Sequence, residues 1–363
     1  MAMTLSDLHP GNTATVARLV QMIRRDIRER DLREGDRYLT TEEVATLMNV
    51  AKGTANRAMQ QLARENLLVR NRKLGTYIGQ GVVADSSSVD QICLLIRRAY
   101  YLAERERINE VVGGTLSALT KASVELSLAP DDQEMVYAER LIRANEDRSL
   151  RVGYFVASKS PQIQSFFQLQ GVPALIMGTP YPQSQGLASI DLDQDKIGRL
   201  AVRAAFESGD QRIAVILRDR RGFGDDIMVN AITAEAMSLG VKPGDLVIRS
   251  VPSDAQLSIH TIQHLMTSSN PPSAIITRSR TALEAVACVM DRLDWPETTR
   301  VISADWLPAS HRKGAYACVK PYISAYEQGV QMGKMISALI ADQIPDPLHT
   351  MVDVSLEHIT EQA

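Results

Sequence analysis

The sequence is poor in aromatic residues, cysteine and long apolar runs. Aromatics make up 5% of its 363 residues, and only two of them are tryptophan. Apolar runs such as "ICLLI", Ile92 to Ile96, fall far short of the roughly 20 residues that a membrane-spanning helix needs. No membrane partner is therefore expected. The start, "MAMTLSDLHPGN", has no basic residues leading into an apolar stretch, so no secretory signal is expected. The three cysteines, Cys93, Cys288 and Cys318, are odd in number, scattered and without a CxxC spacing. That excludes a disulfide framework and points to buried thiols in a reducing cytoplasm.

Reactive constellations are also missing. "DLDQDK" mimics the start of a calcium loop through Asp191, Asp193 and Asp195. Lys196 occupies the place of the required glycine, and Val202 that of the closing glutamate. Asp193 is expected in the loop before a helix instead. His260 and His264 are four apart, but Thr261 stands where a zinc protease carries glutamate, so surface histidines are expected. "GFG", Gly222 to Gly224, lacks the GxGxxG spacing and is read as a loop. No serine–histidine–acid or cysteine–histidine set is readable from residue order. No metal, cofactor or enzymatic activity is expected.

What is present divides the chain. Residues 1–82 hold thirteen Lys/Arg against nine Asp/Glu, while the whole chain carries a net charge of −3. A mildly basic head on an acidic body suggests an anionic partner for the head. Within residues 1–81, Val16, Leu19, Val20, Ile23 and Ile27 recur at helical spacing, predicting a helix over 14–30. "REGD", Arg33 to Asp36, reads as a turn. Thr40 or Thr41 can cap a second helix ending near Met48, with Glu42 and Glu43 in its first turn. A third helix starts near Ala51. "LLVRNRKLGTYIGQG" then reads as two short strands around a basic turn, with Gly75 suited to a positive φ. Residues 82–90 are small, polar and aperiodic, as in a linker.

From residue 91 to 363 apolar strands alternate with helices. The strand candidates are "ICLLI", "SVELSL", "RVGYFVA", "ALIMG", "IAVIL", "DLVIRSV", "SAIIT" and "RVISA". Helices are predicted over 104–120, 134–144, 196–208 and 282–292, among others. Continuous apolar strands alternating with helices predict an α/β body of parallel sheets covered on both faces, here two doubly wound lobes.

The third helix carries chemistry. Ala55, Ala58 or Met59, and Leu62 repeat on one face, while Lys52, Asn56 and Gln60 fall on the other beside Gly53 and Arg57. Two short helices with a tight turn, the second bearing donors at its start, suit a helix–turn–helix that places its second helix in the major groove. Arg57 is matched to guanine, Asn56 or Gln60 to adenine, and Lys52 to phosphate. A solvated amphipathic helix without a ligand is the alternative.

Residues 13–79 resemble the GntR-type winged helix–turn–helix, through "LREGDRYLTTEEVA", "LMNVAKGTANRAMQQLARENLL" and "RKLGTYI". The resemblance implies double-stranded DNA as partner, with Lys52, Thr54, Asn56 and Arg57 as recognition-helix contacts; Gly53 and Gln60 on the same helix, and Thr41 at the start of the second helix, complete the candidate DNA-binding set. It also implies a wing that meets the backbone or minor groove through Arg72, Lys73, Gly75 and Thr76. Glu43, Lys52, Asn56 and Asn66 depart from the family's usual residues, so its usual operator does not follow.

Residues 90–360 resemble the sensor domain of LacI/GalR-type repressors, itself similar to periplasmic sugar-binding proteins. The stretches that carry this are "GVPALIMGTP", "SIDLDQDKIGRLAVRAAFESGDQRIAVI", "PPSAIITRSRTALEAVACVMDRL", "RVISADW" and "EQGVQMGKMISALI". The combination looks like the arabinose-repressor class. It implies a homodimeric transcription regulator whose small-molecule effector (a sugar, sugar acid or sugar phosphate) binds between the lobes. A solute-binding protein of a transport system is the alternative.

Strand ends supply the candidate effector contacts: Arg97, Tyr100 and Tyr101 after the first strand and Ser158 after the third. Arg218 and Phe223 follow "AVIL", Arg278 and Arg280 follow "AIIT", and Asp305 and Trp306 follow "VISA". The resemblance gives Asp305 a sugar hydroxyl, and Trp306 is suited to stack on a sugar face. Arginines after three separate strands predict an anionic effector; the alternative is that they form surface or lobe–lobe ion pairs.

Overall fold

The structure is a computed structural model that describes residues 16–30, 32–64, 67–71, 75–79, 89–146, 150–206, 212–252, 254–293, 299–307 and 317–359. Its first unit is a small helical head with a three-stranded sheet. Helix α1 (Val16–Glu29) precedes strand β1 (Arg37–Tyr38), helices α2 (Thr41–Leu47) and α3 (Lys52–Arg64), and strands β2 (Leu68–Asn71) and β3 (Gly75–Ile78). The sheet order is β1-β3-β2, antiparallel throughout.

Local chemistry explains these elements. Thr40 closes a capping box on α2: its hydroxyl accepts from the Glu43 amide at 3.3 Å, and its own amide donates to the Glu43 carboxylate at 2.7 Å. Asn49 turns the chain between α2 and α3 at a φ of 49°, a conformation asparagine tolerates better than most side chains. Gly75 opens β3 at a φ of 106°. Leu19, Ile23, Val44, Ala55, Ala58, Met59, Leu62 and Leu68 share one buried core. Asp26 is buried beside it, accepting from Arg30 Nε at 2.9 Å and Tyr38 Oη at 2.8 Å, which ties α1 to β1. Burial, then the hydrogen bond to Asp26, pushes the Tyr38 phenol well up.

The body is two six-stranded sheets. The first lobe takes β4 (Gln91–Arg97), α4 (Arg98–Ala103), α5 (Arg105–Ala118), β5 (Ser123–Ala129), α6 (Glu134–Asn145), β6 (Val152–Ala157), α7 (Pro161–Gln170), β7 (Ala174–Met177) and β8 (Ala188–Leu192). The second takes α8 (Gln194–Phe206), β9 (Ile213–Arg218), α9 (Phe223–Ser238), β10 (Leu246–Val251), α10 (Ala255–Met266), β11 (Ala274–Thr277), α11 (Arg280–Leu293), β12 (Arg300–Ser303) and β13 (Ala317–Pro321). The chain then returns to the first lobe with α12 (Ala325–Ile340) and β14 (His349–Val352), and ends on the second with β15 (Val354–His358).

Strand orders are β14-β8-β7-β6-β4-β5 and β10-β9-β11-β12-β13-β15. All pairings are parallel except β13 with β15. Each sheet reverses its strand order beside its first strand, at β4 and at β9, and such a reversal opens a crevice at the strands' carboxyl ends.

The two expected lobes are present, and each of the eight strand candidates forms a strand. Beyond them lie β8, β13, β14 and β15. Val89 is buried in the body's core and Asp90 receives Arg151, so these two residues pack with the body; the rest of the expected linker lies outside the described residues. Glycines let α5 and α12 touch. A Cβ on Gly114 would lie 1.9 Å from the Tyr326 carbonyl oxygen, and one on Gly329 would lie 2.1 Å from that of Val111. The three cysteines are unbridged, and Cys93 and Cys318 are buried. Among the described residues no helix is long and apolar enough to cross a membrane.

Candidate nucleic-acid interface and interlobe cleft

Helix α3 buries Ala55, Ala58, Met59 and Leu62 against the head's core, which leaves its opposite face outward. Lys52, Gly53, Arg57 and Gln60 are exposed, and Thr54 and Asn56 half-exposed. Lys52 is not independent: its ammonium pairs with Glu42 at the start of α2. Thr41 and Asn56 are joined by a residue absent from the expected set, Arg70 on β2. Its Nη2 donates to Thr41 Oγ1 and to Asn56 Oδ1, both at 3.0 Å.

The wing differs from expectation at Thr76. Its side chain is only 5% exposed, and its strand is paired on both edges, with β1 and β2. Thr76 therefore shapes the wing and offers its side chain to no outside partner. Gly75 lies at the strand's start, and Arg72 and Lys73 lie outside the described residues.

In the body, the two switch points face each other across a cleft. Its walls include Tyr100, Glu104 and Arg107 from α4, α5 and their junction, and Ser158 and Lys159 after β6. Asp191 of β8 and Gln194 of α8 line it too, with Arg218 of β9, Phe223 and Asp225 of α9, Arg278 after β11 and Asp305 after β12. Six of the ten expected residues meet here: Tyr100, Ser158, Arg218, Phe223, Arg278 and Asp305. The other four do not line it. Arg97 lies 3.8 Å from Asp131, Tyr101 packs on the core, and Arg280 lies 3.5 Å from Glu106. Trp306 stacks beneath Lys320, 5.3 Å from the ring centre.

Asp225 is the hub. Its carboxylate accepts from Lys159 Nζ at 2.8 Å, the Gly222 amide at 2.9 Å and Arg278 Nε at 3.0 Å, with Arg218 Nη2 at 3.5 Å. Lys159 belongs to the first lobe and the others to the second, so this carboxylate joins the lobes. Burial opposes the charge on Asp225, but Arg278, Arg218 and Lys159 outweigh it and hold the carboxyl far below the usual range. Arg278 also donates to Asp305 and, at 3.1 Å, to Gln194 Oε1. Gln194 in turn donates to Asp191 at 3.0 Å, and Thr179 donates to the same carboxylate at 2.5 Å.

The same geometry perturbs the neighbours. Burial, then the charges of Arg218 and Arg278, brings the Lys159 ammonium down to about 7. Burial, then Asp305, pushes the Glu104 carboxyl up. "GFG" is not a loop: Gly222 caps α9, and Phe223 and Gly224 form its first turn. A Cβ on Gly224 would lie 2.8 Å from Thr179 Oγ1 and 3.0 Å from Asp191 Oδ2, so glycine lets α9 reach the first lobe. There the Phe223 ring packs on Tyr181 at 5.5 Å between ring centres.

The arginines of the cleft thus face carboxylates of the same chain. Four cations (Arg107, Lys159, Arg218, Arg278) stand among four carboxylates (Glu104, Asp191, Asp225, Asp305). At the rim, Arg220 donates to the Asp131 carbonyl at 2.9 Å, and Arg221 lies 3.6 Å from Asp226. The pairing that the sequence left as an alternative is the arrangement found. Asp193 caps α8 as expected, accepting from the Lys196 amide at 2.9 Å, and His260 and His264 lie exposed on α10. Among the described residues no three His, Cys, Asp or Glu side chains are placed to hold a metal.

Fold and sites together define a class: a winged helix–turn–helix head joined to a two-lobed α/β body with a cleft between its lobes. Residues 15–78 match the profile of the family described as "Bacterial regulatory proteins, gntR family", so the head is a helix–turn–helix of that family. The body has the fold of LacI-type regulators. It is similar to the transcription regulator CcpA of Lactococcus lactis (12% identity, TM-score 0.61, covering 74% of this chain and 97% of that one). The regulator CelR, solved with cellobiose, gives 17% identity and a TM-score of 0.61, covering 88% of this chain and 98% of that one. GanP, a glucose-galactose binding protein from Geobacillus stearothermophilus, gives 16% and 0.62, covering 75% and 98%. At these identities the likeness establishes the fold. No curated protein matches the chain significantly in sequence.

Proposed function

We propose that the chain is a ligand-responsive transcription regulator, a repressor of carbohydrate-metabolism genes, acting in the cytoplasm as a homodimer on a two-fold symmetric operator. One observation carries this reading. A single chain joins a packed helix–turn–helix with an outward polar face to a cleft set at two topological switch points. The likeness to GanP keeps a transport role in view for the body alone; the head favours DNA. Balanced charge in the cleft favours a neutral sugar over a sugar acid or sugar phosphate, because an anion would have to displace a carboxylate from its arginines. The effector closes the lobes and thereby resets the spacing of the two heads.

The test is fluorescence anisotropy of the intact protein at low ionic strength, on duplexes from upstream of its own locus. Neutral sugars, uronates and sugar phosphates are added in turn. Preference for one duplex, changed at least several-fold by a neutral sugar, supports the reading. Equal binding to all duplexes under every condition overturns it.

A further inference from the structure

Arg70 stands outside every expected DNA contact, yet it joins three parts of the head. It projects from β2. One nitrogen of its guanidinium, with two hydrogens, serves Thr41 Oγ1 on α2 and Asn56 Oδ1 on α3, each at 3.0 Å. Among the described residues its other N–H groups have no further partner.

A guanidinium only donates, so the Asn56 atom facing it must be the amide oxygen. That fixes which way the amide points. Asparagine reads adenine by using both ends of its amide, accepting from N6 and donating to N7. Here Arg70 holds one of the two lone pairs of the amide oxygen, which turns that oxygen toward β2 and leaves the donating end for the groove. Arg57 and Gln60 stand exposed on the same face. Resting on the reading of α3 as the recognition helix, the geometry points to Arg70 as a positioning residue for base choice. It holds Asn56 as a donor, so that Asn56 selects an acceptor edge such as guanine N7 and O6 rather than adenine.

The test is selection of bound duplexes from a randomised library by the intact protein and by Arg70→Met and Arg70→Lys. The parent is expected to enrich guanine at one position of each half-site. Both variants release Asn56 and shift that position toward adenine by about fivefold or more, the smallest discrimination expected of a good bidentate contact, with other positions unchanged. Lysine keeps the charge, but its side chain is one bond shorter and its ammonium stops short of the position Nη2 holds between Thr41 and Asn56. Arg70→Lys therefore keeps the parent's salt dependence, whereas Arg70→Met loses about one unit of salt slope if the remaining donors also meet phosphate. Weaker binding by Arg70→Met with an unchanged motif would make Arg70 a phosphate contact only and overturn the proposal. Failure of the parent to enrich any motif would overturn the DNA-binding reading itself, and this proposal with it.

Discussion

Replacing Asp225 by alanine is the sharpest perturbation the body offers. The carboxylate is 3% exposed and receives an ammonium, a guanidinium and a backbone amide at 2.8 to 3.0 Å. Alanine leaves Arg278, Arg218 and Lys159 facing one another, with Asp305 and Asp191 as the remaining counter-charges. Removing one partner of a buried ion pair costs about 3–5 kcal/mol, because the other charge stays desolvated. For a body of this size that is a fall of roughly 6–20 °C in its thermal transition, at about 2–4 °C per kcal/mol. The neighbouring Asp226 is the control. It is 48% exposed and lies 3.6 Å from Arg221, so Asp226→Ala should change stability by no more than about 0.5 kcal/mol. Calorimetry at pH 7 on parent and variants reads both, with the head's transition as internal reference. The sign with pH follows from the depressed Asp225 carboxyl. Its contribution is present above the unfolded value near 3.9 and is lost as pH falls below it, so Asp225→Asn flattens that part of the acid limb. If Asp225→Ala and Asp226→Ala melt within about 2 °C of each other, the hub assigned to Asp225 is wrong.

Lys159 links closure to pH: its ammonium titrates near about 7 in the cleft and near 10.4 in water. Closure therefore releases a proton between these values, and energy transfer between lobe-attached dyes should show the closed form gaining up to about tenfold per unit as pH rises from 7, with little change below. Lys159→Met should remove the dependence, and closure favoured by falling pH would refute it. Glu42 holds Lys52 on the exposed head surface, so Glu42→Gln should raise affinity for random duplex several-fold at low salt and steepen the salt slope by about 1; unchanged binding would mean that Lys52 faces no phosphate. Gly329→Ala places a methyl 2.1 Å from the Val111 carbonyl and should cost the body about 1–3 kcal/mol by overpacking, read as a lower melting temperature; an unchanged melt would deny the close approach of α5 and α12.

The parts of the fold set by repetition were legible. Continuous apolar strands announce a buried parallel sheet wherever they occur, and β4, with all seven residues buried, is the plainest case. β8 and β13 carry polar residues at their ends, Asp191 and Lys320, while β14 and β15 lie at sheet edges with mixed exposure. Their patterns are therefore too short or too polar to stand out. The strand-end rule found Arg218, Arg278, Ser158 and Asp305, because the carboxyl ends of parallel strands always converge. It passed over Lys159, one residue beyond Ser158, and took no notice of Asp225 beside Asp226. What separates Asp225 from Asp226 is the packing of α9 against the first lobe, made possible by Gly224. The partners of the arginines were equally hidden, since Arg278 and Asp225 are 53 residues apart in the chain. Periodicity reports which face is buried; it does not report what lies opposite.

The architecture also limits how cleft and head can communicate. The head joins the body just before β4, where Asp90 is held by Arg151, and the cleft lies at the other end of the same strand. Seven residues of strand place these ends about 20 Å apart. Within one chain, a ligand between the lobes changes mainly how the second lobe sits on the first. Three connections pass between the lobes, after β8, after β13 and between β14 and β15. They run side by side: the Asp193 amide donates to the Val352 carbonyl at 2.9 Å, and the Tyr322 amide to that of Asp353 at 3.0 Å. Lys196 pairs with Asp353 at 2.5 Å across the same junction. A hinge built this way permits rotation of the lobes while keeping their connections in register. Under the proposed function, the signal to DNA must then pass through a second protomer that senses the lobe rotation. A monomeric form of this protein would close on its ligand without changing its affinity for a half-site. Comparing half-site and full-site duplexes, with and without the ligand, would reveal this, and an equal ligand response on both would place the coupling within one chain.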